Sequence, residues 1–242
     1  RRGGQGRTQK ARTLALELER IAIHTGDLSA VCTDIAYQLG SSVFGRLRTP
    51  IINFFQEWCG NRLAKGLIRP GYHPFPFTTR LAERLQAVLD AYEPDFHEMN
   101  SQLFRMPSVL SRFERTGVVS YEDVLSIGTV GMTARMSGLT RDIRLSHPHD
   151  RYTKVGHEPI VKHHGDVYSR VQIRKFEVRQ SIQYIREWIR TLPEIRSQSR
   201  WADTGKPAPD SFSISLVEGW RGEICHCAIT DGQGDLVLYK IK

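Results

Sequence analysis

No run of about 18 apolar residues, the length a helix needs to cross a bilayer, occurs in the sequence, so no membrane-spanning helix is expected. Cysteine is scarce. Cys32, Cys59, Cys225 and Cys227 are all that 242 residues hold, too few for a disulfide-built secreted scaffold and suited to a reducing compartment. A Gly-x-Gly-x-x-Gly turn, a Walker loop and a Gly-x-Ser-x-Gly elbow are all missing, which removes the usual sequence signs of dinucleotide binding, nucleotide hydrolysis and serine-hydrolase chemistry. Residues 1–12 lack the apolar stretch of a secretory signal. No repeat at fixed period points to a solenoid. The sequence opens on Arg1 and stops at Ile241–Lys242, which reads as an excised piece of a longer protein.

What is present is ordinary globular material, 40% hydrophobic and 9% aromatic, enough for a sizeable core and incompatible with a disordered chain or a fibre. The net charge of +8 is concentrated at the start: Arg1, Arg2, Arg7, Lys10 and Arg12 face no acid there, and the rest carries 29 basic against 26 acidic residues. The remaining Arg alternate with Glu and Asp, as on a solvated or mutually paired surface. A nucleic-acid partner is therefore not expected. The basic start reads as a tail, with docking to an acidic partner or to lipid headgroups as the lesser reading.

The periodicity predicts one helix over residues 8–40, with Leu14, Leu18, Ile21, Ala22, Leu28 and Ile35 on one side and Gly40 as its stop. A second helix is expected from Pro50 to Leu63, a third from Thr78 to Tyr92, and a fourth from Phe96 to Phe113 broken near Pro107. Ser120-x-x-Asp123 reads as a capping box. Residues 128–164 show no period. The cleanest helix covers 165–191, striped by Val167, Val171, Val178, Ile182, Ile185 and Ile189. A polar linker, 192–211, leads to strands at Ser213–Val217, Glu223–Thr230 and Asp235–Lys240, the last two joined by an Asp/Gly turn. The expected class is α+β, mainly α. A basic tail (1–12) precedes a helical bundle (13–191), the linker, and a small antiparallel sheet (212–242) cut short at its end.

Two helices carry polar stripes. On the first, Glu17, Arg20, His24, Asp27 and Asp34 share an arc of roughly 100°. Asp27 and Asp34 stand roughly 10 Å apart along it, with His24, a group that titrates near neutrality, close by. On the later helix, Asp166, Arg170, Arg174, Glu177 and Ser181 lie opposite the apolar stripe, spaced so that Asp166–Arg170 and Arg174–Glu177 can pair. Each stripe is either a solvated face or a buried network that demands strict pairing. Cys225-His226-Cys227 puts two thiols on one strand face, but no further Cys pair completes a structural zinc set, so they read as ordinary strand cysteines. His147, His149, His157, His163 and His164 offer no ligand spacing. No metal ligands are assigned.

The strings Glu-Leu-Glu-Arg-Ile-x-x-His (17–24), Gly-Asn-Arg-x-x-x-Gly-Leu-Ile-Arg-Pro-Gly (60–71), Ser-Gly-Leu-Thr-Arg-Asp-Ile-Arg (137–144), Gly-Asp-Val-Tyr-Ser-Arg-x-x-Ile-Arg-x-x-Glu (165–177) and Val-Glu-Gly-Trp-Arg-Gly-Glu (217–223) occur in this order, with Asp34 between the first two. The set resembles the large subunit of membrane-bound nickel–iron hydrogenases of the formate hydrogenlyase type and its homologue, the quinone-cavity subunit of respiratory complex I. Glu-Gly-Trp-Arg-Gly-Glu is nearer the hydrogenase branch. The resemblance implies an electron-transfer oxidoreductase fragment, inactive alone, lining a redox-coupled proton or quinone cavity. It implies no cofactor in the fragment itself, but a nickel–iron centre or a quinone in the parent. It also implies an iron–sulfur small subunit and further subunits of a complex on the inner face of the cytoplasmic membrane. The alternative is a non-catalytic scaffold that has lost its metal cysteines. Carried over, Asp34 matches the family's aspartate that partners an upstream histidine, and with His24 it is the catalytic candidate. Asp27, Arg69, Arg141, Asp142, Asp166, Arg170, Arg174, Glu177 and Glu218 are expected in the cavity or its charged network. Tyr72 replaces the usual second glycine after Arg69 and Pro70.

Overall fold

The computed structural model describes residues 2–69, 73–191 and 205–242. Pro70, Gly71 and Tyr72, and most of the expected linker, lie outside the described residues. Helices α1 (Arg2–Asp34), α2 (Gln38–Cys59), α3 (Thr79–Leu103) and α9 (Val167–Thr191) form the bundle. Short helices α4 (Pro107–Phe113), α5 (Tyr121–Ile127), α6 (Gly131–Arg135), α7 (Ile143–Ser146) and α8 (Tyr152–Val155) fill the stretch between α3 and α9. Strands β1 (Phe212–Glu218), β2 (Glu223–Thr230) and β3 (Leu236–Ile241) make an antiparallel sheet in the order β1-β2-β3. The expected class, mainly helical with a small terminal sheet, is what the chain adopts.

The apolar stripes make one core. Leu14, Leu18 and Ile21 of α1, Phe44, Ile51 and Phe54 of α2, Leu85 and Phe96 of α3, and Val171, Val178 and Ile182 of α9 all join it. Several boundaries differ from the sequence reading: α1 begins at Arg2, within the stretch expected as a tail, and α3 runs on to Leu103, so that only Pro107–Phe113 of the expected fourth helix stands apart. The first helix ends at Asp34, not Gly40, because Ala36 turns left-handed (φ 60). Gly40 instead lies in the first turn of α2, where a Cβ would sit 2.6 Å from the Tyr37 ring and 2.7 Å from the Cys32 sulfur. It is required by close packing, not by helix termination. The second helix starts twelve residues before Pro50, which lies within α2, and Pro94 likewise lies within a single α3. Thr78 caps α3 and Ser120 caps α5 through their side-chain oxygens.

A backbone crossing ties the sheet to the bundle. Gly131 (φ 62) faces Gly222 so closely that a Cβ on it would lie 2.1 Å from the Gly222 Cα. That contact sets α6 against the turn between β1 and β2 and delivers the end of β1, Glu218, into the interior.

Candidate functional site

The polar sides of α1 and α9 face each other, so the stripes that a helical wheel leaves free are desolvated together. Glu17, Arg20 and His24 of α1 and Glu177 and Ser181 of α9 are all buried. The irregular stretch adds Arg135, Asp142, Arg144, Tyr152 and His157, and β1 adds Glu218, all buried as well.

Arg135 is the hub, pairing with Glu177 (2.5 Å), Glu218 (3.0 Å) and Asp142 (3.3 Å). Arg144 pairs with Asp142 (2.7 Å), Glu177 (3.2 Å) and Glu17 (3.5 Å). Arg20 sits 3.3 Å from Glu17 and donates to the carbonyls of Glu218 (2.9 Å) and Gly219 (3.0 Å), binding α1 to the strand end. Tyr152 and Ser181 donate their hydroxyl protons to Glu17. Glu218 accepts the Ile143 amide at 3.0 Å. The imidazole of His24 lies 2.6 Å from Glu177, and that of His157 lies 3.1 Å from Asp142 and 3.0 Å from the Tyr184 hydroxyl.

The protonation pattern follows from these neighbours. Burial alone would push every carboxylate up. At Glu17 it is outweighed by Arg20 and Arg144 and by the Ser181 and Tyr152 hydroxyls, which hold the group below its usual range. At Glu177, Arg135, the His24 hydrogen bond, Arg20 and Arg144 outweigh burial further. Asp142 is held low against burial by His157, Arg144 and Arg135. Glu218 goes the other way: burial and the negative charge of Asp142 raise it, and Arg135 with the Ile143 amide offset only part of that. Burial lowers His24 and His157 despite their carboxylate partners. A neutral His24 that donates Nε2–H to Glu177 leaves Nδ1 as a bare acceptor, and that atom is buried with no hydrogen-bond partner among the described residues.

Three guanidiniums (Arg20, Arg135, Arg144) meet four carboxylates (Glu17, Asp142, Glu177, Glu218) with almost no solvent contact. Full ionisation with neutral imidazoles leaves one uncompensated negative charge, which a dry interior strongly disfavours. The group best placed to take the balancing proton is Glu218, and the bare Nδ1 of His24 is an alternative resting place.

The other sequence-expected residues fall in different places. Asp27 is half-buried between Arg174 (3.3 Å) and Arg221 (3.5 Å). The i,i+4 and i,i+3 pairs expected within α9 do not form: Arg174 pairs across to α1, and Glu177 turns to the central arginines. Asp166 directly precedes α9 and accepts the amides of Ser169 (2.9 Å) and Arg115 (3.0 Å), the geometry of a helix cap. Arg170 donates to the Gly117 carbonyl (3.2 Å). Arg141 and Arg69 are exposed; Arg141 donates to the Thr129 carbonyl, and the Arg69 carbonyl accepts from Arg12. Asp34 is exposed at the end of α1, without an ion pair among the described residues. It lies ten residues beyond His24, about 15 Å along the helix, so the two are not brought together. Sequence reasoning left out Arg135, Arg144, Tyr152 and His157. Arg144 was in view as the last residue of the 137–144 string.

The thiols present do not fit a nickel–iron centre: Cys32 and Cys59 are in the apolar core and Cys225 and Cys227 are on the sheet. Among the described residues no three His, Cys, Asp or Glu side chains gather as metal ligands, and no helix is long and apolar enough to cross a membrane.

Residues 41–209 match the family described as respiratory-chain NADH dehydrogenase, 49 Kd subunit. The chain is 30% identical over 241 residues to an NADH-quinone oxidoreductase subunit from Bacteroides thetaiotaomicron, covering 97% of this chain and 44% of that protein. It is 30% identical over 244 residues to an NADH-quinone oxidoreductase subunit from Chloroherpeton thalassium, covering 94% and 54%. A chain in the solved structure of the membrane-bound sulfane sulfur reductase, an archaeal respiratory membrane complex, shares the fold with a TM-score of 0.87 at 20% identity, over 97% of this chain and 65% of that one. The chain thus spans about half the length of the curated relatives it matches.

Proposed function

This chain belongs to the 49 kDa subunit family of respiratory-chain NADH dehydrogenases, and from that premise we propose that it supplies a buried, proton-holding charge network to an electron-transfer oxidoreductase subunit of a membrane respiratory complex. The observation that carries the reading is the imbalance of three arginines against four carboxylates at almost zero exposure. A network that must keep one extra proton, with Glu218 and His24 as alternative holders, can take up or release that proton when charge appears nearby.

In the parent protein the nearby charge is that of a quinone being reduced. In this reading the relay between such a cavity and the network falls to Asp34, exposed at the end of α1, and to the half-buried Asp27–Arg174 pair. The residues of this chain hold and move protons; the electrons come from an iron–sulfur subunit that docks in the assembled complex. The complex sits on the inner face of the cytoplasmic membrane, with this subunit peripheral.

The test is Glu218→Gln in the full-length complex, assayed for quinone reduction across pH and for assembly. Normal assembly with a slowed rate and a displaced pH profile supports proton holding. Normal assembly with wild-type rate and profile removes Glu218 from proton coupling and leaves the network a structural element.

A further inference from the structure

Cys225 and Cys227 stand two residues apart on the central strand and project from the same face of the sheet. Both are free thiols, half-buried, with their sulfurs 3.6 Å apart. A strand is a poor frame for joining them covalently. Alternate Cα atoms on it lie about 6.6–6.8 Å apart, at the upper end of the roughly 4.4–6.8 Å a disulfide spans. A metal ion asks for much less. Two thiolates about 2.3 Å from zinc and 3.6 Å from each other subtend about 103°, close to the tetrahedral angle.

The pair stands between an apolar strand and a basic one. Leu216 and Ile214 stand opposite the pair on β1, giving an apolar flank. On the other side Lys240 stands opposite Cys227, and Lys242 exchanges both backbone hydrogen bonds with Cys225. The Cys227 thiol, burial and Glu223 hold the Cys225 proton more firmly than usual, and Lys242 offsets only part of that, so a bound ion has to displace it. His226 lies on the opposite face, its Nδ1 2.5 Å from the Tyr239 hydroxyl, and is not a ligand. Among the described residues no third donor joins the pair.

We propose that Cys225 and Cys227 form a two-thiolate half-site for a thiophilic d10 ion, Zn²⁺ in the first instance, with two coordination positions open to outside donors. Binding exchanges protons only: one Zn²⁺ replaces two thiol protons, both released to solvent, and no electron moves.

The experiment titrates the reduced 242-residue chain, under argon, with Zn²⁺ against a chromophoric chelator and with Co²⁺ as a spectroscopic probe. The site requires one ion per chain, or one per two chains where a second copy's thiols fill the open positions. It also requires a thiolate-to-cobalt charge-transfer band, release of two protons per ion, and affinity that falls as pH falls. Cys225→Ser and Cys227→Ser should each weaken binding at least tenfold, while His226→Ala changes it less than twofold. On the unmodified chain, Zn²⁺ should protect Cys225 and Cys227 from alkylation read by peptide mass, while the core thiol of Cys32 stays unreactive with or without the ion. Absence of the charge-transfer band, or binding unchanged in the serine variants together with no protection of the pair, overturns the proposal.

Discussion

Replacing Arg135 with methionine removes a cation that touches three buried carboxylates, at 2.5, 3.0 and 3.3 Å, Glu218 among them. Arg20 and Arg144 would then face Glu17, Asp142, Glu177 and Glu218 alone. Breaking a buried ion pair from one side costs about 3–5 kcal/mol, and that range is expected at pH 7 because part of the excess charge is relieved by proton uptake. With a urea dependence of about 2 kcal/mol per molar, the midpoint falls by about 1.5–2.5 M. The pH dependence gives the sharper test. Glu17, Asp142 and Glu177 are depressed in the folded wild type, so the stability they give is complete above their ordinary range and is lost as pH falls through the depressed values. In Arg135→Met, Glu218 loses its arginine partner and Glu177 its strongest one, so the proton affinity of both rises. A carboxylate raised on folding stabilises most below its unfolded value, and one less depressed gives less stability at neutral pH. The gap between variant and wild type therefore narrows between pH 7 and about pH 4.5. Adding Glu218→Gln should return part of the loss, since it removes one uncompensated carboxylate. A loss below about 1 kcal/mol at pH 7, or a gap that does not change with pH, refutes the reasoning.

Gly131→Ala drives a Cβ into the Gly222 backbone at a left-handed φ, and should cost about 2–4 kcal/mol in urea unfolding, with the sheet losing amide-exchange protection first. Asp34→Asn changes an exposed side chain, so the stability of the chain should move by less than about 0.5 kcal/mol. In the full-length complex it should assemble normally while turnover falls tenfold or more; wild-type turnover would remove Asp34 from the mechanism. Glu177→Gln leaves Arg135, Arg144 and His24 short of their shared carboxylate and should destabilise by about 3–5 kcal/mol, whereas Glu218→Gln, which mimics a protonated carboxyl, should cost less than about 1 kcal/mol.

The apolar stripes of α1 and α9 were legible because each repeats at the helical period, and the last two strands because an Asp/Gly turn separates them. The helix boundaries were less so. Gly40 and Pro50 carry the signals of a stop and a start, but Gly40 serves packing against Tyr37 and Cys32, and Pro50 lies within α2. In the site, Glu17, Arg20, His24 and Glu177 were visible as polar arcs, yet a single helix wheel does not say whether its polar face meets water or another polar face. Arg135, Asp142, Arg144 and His157 sit on short helices and loops without period, brought in by the Gly131–Gly222 crossing and by long-range pairing. Local pattern holds no trace of that. Only the family-like strings pointed at Asp142 and Glu218, and the same strings also pointed at Arg69 and Arg141, which lie outside the network.

The central claim is that the network holds one proton more than its full ionisation allows, on Glu218 first, where burial and Asp142 raise the carboxyl, or else on His24. Infrared difference spectroscopy of the carboxyl carbonyl stretch at pH 7, with ¹³C-labelled glutamate and the Glu218→Gln variant for assignment, reads this directly. The expected result is one protonated buried carboxyl that vanishes in Glu218→Gln. Finding every buried carboxyl ionised while His24 and His157 are both neutral would contradict it.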